Sequence, residues 1–382
     1  MKWLALLLFA LAALLASALP GGVPDSRSAA PAAKHYVCAP CGLPCDARVF
    51  DQPGKCPACG MPLVEQAAAA AQQAARPPAK KVGILIFDGV EIIDYTGPWE
   101  VFGATGYQVY TVAKSKQPVT TAMGMTVVPD HTFADAPQPD VLLIPGGGVR
   151  ATTNDPSTLS WIRSANAGTT HTMSVCNGAF ILASTGLLDG LSATTTAGNI
   201  ERMRTTYPKV KVVDDQRVVD NGHLITTAGL TAGIDGALHV VSLIEGLGAA
   251  QSVALSEEYD WRPDGGFARA ALADRLIPEA DLDSTGRWSI VTTQGGTDHW
   301  HMVVKGTTEM NATQLMDHIS KAFEKGKWAR VQPATAGPPG AVVSDWKFSG
   351  RDGRPWTGTL RVDPVPGATH QYTADLKIAR AG

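Results

Sequence analysis

Residues 170–184 constrain the fold of this chain more than any other stretch. β-Forming residues lead up to Cys176, and an apolar helical pattern begins at Asn177 with no loop between them. This order predicts a sharp strand-to-helix turn that carries Cys176 at the edge of a sheet, beside the amides of the first helical turn. A thiol in that position is easily ionised, so Cys176 is the candidate nucleophile.

Short apolar strands alternate with amphipathic helices from residue 81 to residue 263, and this alternation predicts an α/β domain with a flavodoxin-like, doubly wound parallel sheet. Ligands of such sheets bind beyond the carboxyl ends of the strands. We predict strands at 82–87, 107–113, 141–145, 170–175, 192–196, 209–213 and 223–227, a hairpin at 119–128, and helices from 97, at 155–167, from 177 and at 232–247.

Two further features lie beyond the carboxyl ends of predicted strands. Asp94 follows the first strand, and a run of three glycines that includes Gly147 follows the third core strand. A thiol, a carboxylate and glycine amides together make a nucleophile, a proton carrier and an anion site. The structural alternatives are a buried apolar role for Cys176, a helix cap at Asp94 and a tight turn at the glycines.

The first 19 residues predict a secretory signal peptide. Lys2 is followed by an apolar run and by a small-residue cleavage pattern at residues 16–18. The run is short for a membrane span, although an uncleaved anchor is the alternative. We therefore expect an exported protein, in the bacterial periplasm or secreted, with no membrane span after cleavage. Residues 20–34, rich in Pro, Gly, Ala and Ser, form a linker.

Residues 35–64 form a compact module that contains five of the six cysteines. Two C-x-x-C pairs, Cys38/Cys41 and Cys56/Cys59, are spaced as in a four-thiolate zinc ribbon, which leaves Cys45 as a spare or alternative ligand. Disulfides are the alternative in an exported protein, but five cysteines cannot all pair within the module. Zinc is the default metal, and another soft heavy metal is the alternative.

Two segments flank the predicted sheet domain, residues 65–80 before it and residues 264–382 after it. Residues 65–80 predict a linker with helix in its alanine-rich part. Residues 264–382 predict a small α+β domain of unknown role, with an antiparallel sheet. His299 and His301 lie on one face of a predicted strand in this domain. They could bind a metal together, and the alternative is that both are exposed side chains on an edge strand. The predicted strands are 288–293, 299–305, 344–349, 357–362 and 371–379, and the helix is 312–325.

The net charge of −3 and the absence of a basic stripe argue against nucleic acid or an acidic membrane as a partner. We expect the partner to be a small-molecule substrate or ligand.

Residues 81 to about 262 resemble the ThiJ/PfpI superfamily, whose sheet fold is shared with class I glutamine amidotransferases. The similarity is greatest to the branch that includes isonitrile hydratases and the sensor-like domains of AraC-type regulators. Residues 35–64 resemble a small heavy-metal-binding domain of bacterial exported proteins, through Tyr36-Val37-Cys38 and residues 53–63, with a departure at residues 39–41. The motifs of the larger resemblance are residues 94–98, 143–147, 174–179, and 186–190 followed by 193–195.

The superfamily resemblance implies specific roles. Cys176 is the nucleophile, Asp94 is an acid hydrogen-bonded to its sulfur, and the amides of Gly147 and Asn177 form an oxyanion hole. It also implies a homodimer. Two positions depart from the pattern, since Thr196 replaces a histidine and Asn177 replaces the threonine of hydratase-like members.

Without that histidine, peptidase chemistry lacks its base. Addition of the thiol to a small electrophile needs less. We therefore expect a hydratase, lyase or hydrolase acting through Cys176 and Asp94. The alternative is a non-catalytic redox- or ligand-sensing module.

Overall fold

A computed structural model describes residues 33–38, 44–74, 78–265, 267–337 and 340–382. The chain divides into two compact units, Met1–Pro78 and Ala79–Gly382. The predicted signal peptide lies outside the described residues. Among the described helices, none combines the length and the apolarity that a membrane span requires.

The first unit contains a three-stranded antiparallel sheet with β1 in the centre. A tight turn at Gly60, which has a φ of +74°, closes the segment that carries the second cysteine pair. The Cys56 amide donates to the Met61 carbonyl over 2.8 Å, and the Gly60 amide donates to the Cys56 carbonyl over 2.8 Å. The alanine-rich part of the linker is helical, as predicted. The elements are β1 Tyr36–Cys38, β2 Val49–Phe50, β3 Leu63–Glu65 and α1 Gln66–Ala74.

The second unit begins with a seven-stranded sheet, and the predicted fold class is confirmed. The strand order is β13-β14-β10-β9-β4-β5-β8, parallel throughout except that β13 is antiparallel to β14. The elements of this part are β4 Lys81–Leu85, α2 Ile92–Ala104, β5 Gln108–Ala113, β6 Val119–Thr120, β7 Thr126–Val127, β8 His131–Thr132, β9 Val141–Ile144, α3 Pro156–Asn166, β10 His171–Val175, α4 Gly178–Ser184, β11 Ser192–Ala193, α5 Ile200–Thr206, β12 Lys211–Val212, β13 Val218–Asp220, β14 Leu224–Thr227, α6 Ala232–Glu245 and α7 Leu247–Ser256.

Apolar side chains cover both faces of this sheet. Val82 and Ile84 of β4 belong to one buried layer with residues of α2, α6 and α7. Leu85 belongs to the opposite layer with residues of α3, α4 and α5. Both faces of the central strands are therefore buried from solvent, as in a doubly wound sheet.

Two helices differ from their predicted bounds. Helix α2 begins at Ile92, so Asp94 lies in its first turn and Pro98 lies inside it. The predicted helix 232–247 ends at Glu245 as α6, because Gly246 adopts a φ of +92° and redirects the chain into α7, a helix that the sequence pattern does not predict.

The remainder of the second unit is an antiparallel sheet with a single long helix, as the sequence predicts. The order is β15-β16-β21-β20-β19-β17, with β18 pairing with β19. Helix α8 begins in a capping box between Asn311 and Gln314 and buries its apolar face, including Leu315 and Phe323, in a separate core. The elements are β15 Gly286–Gly295, β16 His299–Thr308, α8 Ala312–Lys325, β17 Ala329–Arg330, β18 Thr335–Gly337, β19 Ala341–Ser349, β20 Pro355–Pro364 and β21 Gln371–Arg380.

Gly178 allows α4 to start directly against the end of β9. A β-carbon on Gly178 would lie 2.0 Å from the carbonyl oxygen of Ile144. We expect Gly178→Ala to lower the free energy of unfolding by about 3 kcal/mol in urea titrations, because either the helix or the strand end must move. Gly103→Ala is the matched control, since nothing lies within 4 Å of its β-carbon position in α2 and alanine gains up to about 1 kcal/mol there. Equal stability of the two variants would contradict this packing.

Candidate active site and metal centre

Cys176 lies on the turn between β10 and α4 and has a φ of +58°. This left-handed conformation is costly for a residue with a side chain, so it must be held by its surroundings. The Cys176 amide donates to the carbonyls of Thr227 and Ala228, both over 3.2 Å. The Cys176 carbonyl accepts from the Thr195 hydroxyl over 2.8 Å. These contacts hold the strained main chain at Cys176.

The Asp94 carboxyl group is fully buried next to this thiol. One oxygen accepts from the Gly146 amide over 3.0 Å, and the other accepts from the Leu230 amide over 2.9 Å. The carboxyl also forms a hydrogen bond with the Cys176 side chain. Burial raises the pKa of Asp94 to about 6, and the two amides and the thiol oppose this rise. Asp94 is therefore far more than a helix cap, and it lies where a proton carrier for Cys176 would be needed.

The Cys176 thiol is less acidic than its place at a helix N-terminus suggests. Burial, followed by the charge of Asp94, raises the pKa of Cys176 to about 12, while the Asn177 amide acts in the opposite direction. A helix terminus typically contributes about 0.3–1 kcal/mol, which is less than one pKa unit. The expectation of an easily ionised thiol is wrong for this resting geometry, because desolvation outweighs the helix terminus. The pair holds its proton on sulfur at neutral pH.

Glycines allow three chain segments to converge around this pair. A β-carbon on Gly146 would lie 2.5 Å from the Asn177 nitrogen and 2.9 Å from an Asp94 oxygen. One on Gly229 would lie 3.1 Å from the Cys176 sulfur and 3.2 Å from the Thr196 hydroxyl oxygen. The glycines therefore have a close-packing function beyond forming a turn.

Gly147 is placed by a two-bond bridge to the loop after β4. The Glu91 amide donates to the Gly146 carbonyl over 3.0 Å, and the Gly148 amide donates to the Gly89 carbonyl over 2.8 Å. The Gly147 amide takes no part in these two bonds, so the bridge leaves it available to an anion. Its φ of +110° requires glycine.

The Asn177 side chain connects this loop to a third segment. Its amide group donates to the Gly147 carbonyl over 3.2 Å, and its side-chain oxygen accepts from Asn199 over 2.9 Å. Asn177 thus holds the loop that carries Gly147. Sequence reasoning did not identify Asn199, Gly229 or Leu230. The only available signal was that Gly229 and Leu230 follow a predicted strand at its carboxyl end.

No histidine forms a hydrogen bond with Cys176 or Asp94 in the part of the chain that the structure describes. His171 begins β10, about 16 Å along the strand from Cys176, and bonds to the Gly222 carbonyl. His223 is exposed. His239, on α6, is half-exposed and paired with Asp220 over 2.8 Å.

His299 and His301 also differ from expectation. Their strand, β16, lies between β15 and β21 and is not an edge strand. The side chains pair with different acids, Asp298 over 2.7 Å and Asp375 over 3.0 Å. This arrangement explains both histidines without a shared metal.

Four cysteines converge in the first unit. The sulfurs of Cys38, Cys45, Cys56 and Cys59 all lie within 4.8 Å of one another. Sulfurs around a tetrahedral zinc ion are about 3.8 Å apart, given Zn–S distances of about 2.3 Å. The Cys38 and Cys59 sulfurs are 3.2 Å apart and no pair exceeds 4.8 Å, so shifts of up to about 1 Å would create this geometry. The Met61 amide and the Cys38 thiol lower the pKa of Cys59, while the same contact with Cys59 raises the pKa of Cys38, so the two sulfurs share a proton that a metal ion would displace. The donor set therefore fits a soft metal ion. It uses Cys45, the predicted alternative ligand, whereas Cys41 lies outside the described residues.

The fold, the strained cysteine on the turn and the adjacent buried carboxylate define a nucleophile-elbow protein of the α/β class. The sequence of residues 80–243 matches the DJ-1/PfpI family. The chain is 40% identical over 183 residues to the isonitrile hydratase of Pseudomonas putida. The matched region is 47% of this chain and 79% of that protein. This chain belongs to the DJ-1/PfpI family.

Two other proteins are similar to this chain. A transcriptional regulator of Pseudomonas aeruginosa, CdhR, is 29% identical over 160 residues, which are 41% of this chain and 46% of the regulator. The crystal structure of a ThiJ/PfpI family protein from Pseudomonas syringae is 34% identical, with a TM-score of 0.45, and covers 49% of this chain and 78% of that one.

The buried carboxyl of Asp94 makes stability depend on pH. Folding raises its pKa from 3.8 to about 6, so the folded state binds the proton more tightly than the unfolded state. This contribution is fully present below about pH 4 and is lost as the pH rises through about 6. The shift of about two units corresponds to about 3 kcal/mol.

We expect the unfolding free energy of the wild type, relative to that of Asp94→Asn, to fall by this amount between pH 4 and pH 6.5. Urea titrations at several pH values measure it. Parallel pH profiles for the two proteins would refute the assignment.

Proposed function

We propose that this protein is a cysteine-dependent hydratase that converts a small isonitrile into the corresponding formamide. Cys176 is the nucleophile, Asp94 carries the proton, and the amides of Gly147 and Asn177 stabilise negative charge on oxygen. The observation that carries the proposal is the buried, hydrogen-bonded thiol–carboxyl pair, to which no histidine of the described residues is bonded. The similarity to an isonitrile hydratase supports the same chemistry.

An isonitrile is a suitable substrate for the Cys176 thiol and the Asp94 carboxyl, which share one proton. Its terminal carbon accepts both the nucleophile and the proton, so sulfur and hydrogen are delivered to the same atom. The Cys176 sulfur forms a bond to this carbon while the thiol proton passes through Asp94 to the same carbon, giving a thioimidate. No free thiolate has to accumulate, which agrees with the raised pKa of Cys176.

Water completes the reaction without any change in oxidation state. Water oxygen bonds to the thioimidate carbon, and Asp94 transfers a proton from the water to the nitrogen. The carbon–sulfur bond then breaks, the hydroxyl proton returns to sulfur through Asp94, and the formamide leaves. The Gly147 and Asn177 amides donate to the oxygen as the carbonyl forms. The sum is one isonitrile and one water giving one formamide.

The sensing alternative is less well supported by the geometry. Oxidation by peroxide requires a thiolate with good exposure. Cys176 is 8% exposed and has a raised pKa.

Turnover of n-butyl isonitrile to its formamide, followed by NMR, tests the proposal. We expect Cys176→Ser to lower kcat/KM by at least about 10³-fold and Asp94→Asn by about 10²–10⁴-fold, since each removes a group that moves the proton or forms the bond. Below pH 6 the wild-type kcat/KM should fall about tenfold per pH unit, because Asp94 becomes protonated.

Cys59→Ser, in the separate metal module, is the control and should keep wild-type turnover. Circular dichroism would verify that each variant is folded. Unchanged turnover in folded Cys176→Ser would exclude Cys176 as the nucleophile.

We also propose that the N-terminal module binds one zinc ion through Cys38, Cys45, Cys56 and Cys59. Metal analysis of the full chain, with a competing chelator present, should find one zinc per chain in the wild type. Cys45→Ser should lose the metal, because three thiolates cannot close a tetrahedral site, whereas Cys41→Ser should retain it. Zinc retained in Cys45→Ser and lost in Cys41→Ser would replace Cys45 with Cys41 in the ligand set.

A further inference from the structure

A cavity of about 610 Å³ lies in the second unit, among helix α8, the antiparallel sheet and the segment 274–282, and Asp274, Arg275 and Glu279 line it together with a larger number of apolar side chains. Its volume falls within the range of about 300–1,000 Å³ typical of small-ligand sites. The apolar walls come from all three elements. They include Ile277, Leu282, Met302, Val304, Ile319 and Phe323.

The cavity adjoins a wider recess at the surface, and Leu282, Met302 and Val304 line both spaces. Trp288 and Ile290 of β15 also line this recess, and Ile290 is 64% exposed. An apolar path therefore runs from solvent to the interior of the domain.

Segment 274–282 is held over the cavity by polar contacts outside it. The Ala273 amide donates to the Gly296 carbonyl over 2.9 Å at one end. At the other end, His318 of α8 bonds to the Asp281 carbonyl over 2.9 Å. Ile277, Pro278 and Ala280, which lie between these anchors, line the cavity. The segment thus covers one side of a space that opens to the recess.

Two lysines lie on the same face of α8 at the mouth. Lys321 and Lys325 are four residues apart and line the recess. Among the described residues, no carboxylate forms an ion pair with either ammonium within 4 Å.

The acids Glu279, Asp281 and Asp283 also line the recess. One oxygen of Asp281 is bonded to the Ser284 amide over 3.1 Å. The two lysines lie at the mouth beside these three acids, and neither ammonium has a carboxylate partner among the described residues.

We propose that this cavity binds a linear medium-chain carboxylate, with its hydrocarbon chain inside and its carboxylate at Lys321 and Lys325. Apolar walls, an apolar entrance and two unpaired ammonium groups at the mouth match the two ends of such a molecule. This site is separate from Cys176 and does not depend on the proposed hydratase activity.

Calorimetric titration of the full chain with hexanoate, octanoate and decanoate tests the proposal. Each added methylene should tighten binding about fourfold while the cavity fills, which is the factor given by about 0.8 kcal/mol per buried methylene. Absence of binding, or affinity independent of chain length, would overturn it.

Variants separate the two parts of the site. Ala280→Trp places a large side chain on a half-buried position that lines both spaces, and it should weaken decanoate binding at least tenfold. The double change Lys321→Gln and Lys325→Gln should weaken decanoate at least fivefold and leave 1-decanol unchanged. Lys377→Gln, on an exposed position of β21, is the matched control.

Decyltrimethylammonium reports the sign of the head group. It should bind more weakly than decanoate to the wild type. Equal or tighter binding of this cation, or decanoate affinity unaffected by the lysine changes, would show that the acids of the segment define the mouth and would overturn the carboxylate assignment.

Discussion

The burial of the Asp94 carboxyl group beside the Cys176 thiol organises the sheet domain. Its two oxygens bind amides from two distant loops, at Gly146 after β9 and at Leu230 after β14. An unpaired charge in this position would be strongly destabilising, so both loops must remain closed around it. Asp94 therefore connects the segments that follow β4, β9 and β14, next to the turn that carries Cys176.

The elements of this fold could be predicted because each has a local signal. The apolar runs of β4, β9 and β10 and the capped, amphipathic pattern of α8 are visible in the sequence. Cys176, Asp94 and Gly147 were likewise identified, since each follows a strand at its carboxyl end. Asn199 could not be identified, because its contact with Asn177 exists only when two loops 22 residues apart meet.

One error has a physical cause that a sequence does not display. The acidity of Cys176 cannot be judged from the sequence, because the turn is visible there and the loops that bury the thiol are not. Cys45, the predicted alternative ligand, lies in the cluster with Cys38 and is placed there by a short helical turn at Pro44–Ala47. The signal peptide, residues 1–19, stays a prediction.

The pKa values of the buried pair limit the chemistry available at this site. Burial, followed by the charge of Asp94, raises the pKa of Cys176, so the thiol keeps its proton in the resting state. Reactions that begin with a free thiolate therefore start from a rare species. Addition to one carbon that takes both sulfur and proton avoids that species, since the bond to sulfur forms as the proton leaves. The burial of this pair thus favours addition to a neutral, unsaturated carbon, the chemistry proposed for Cys176, over reactions that need a free thiolate.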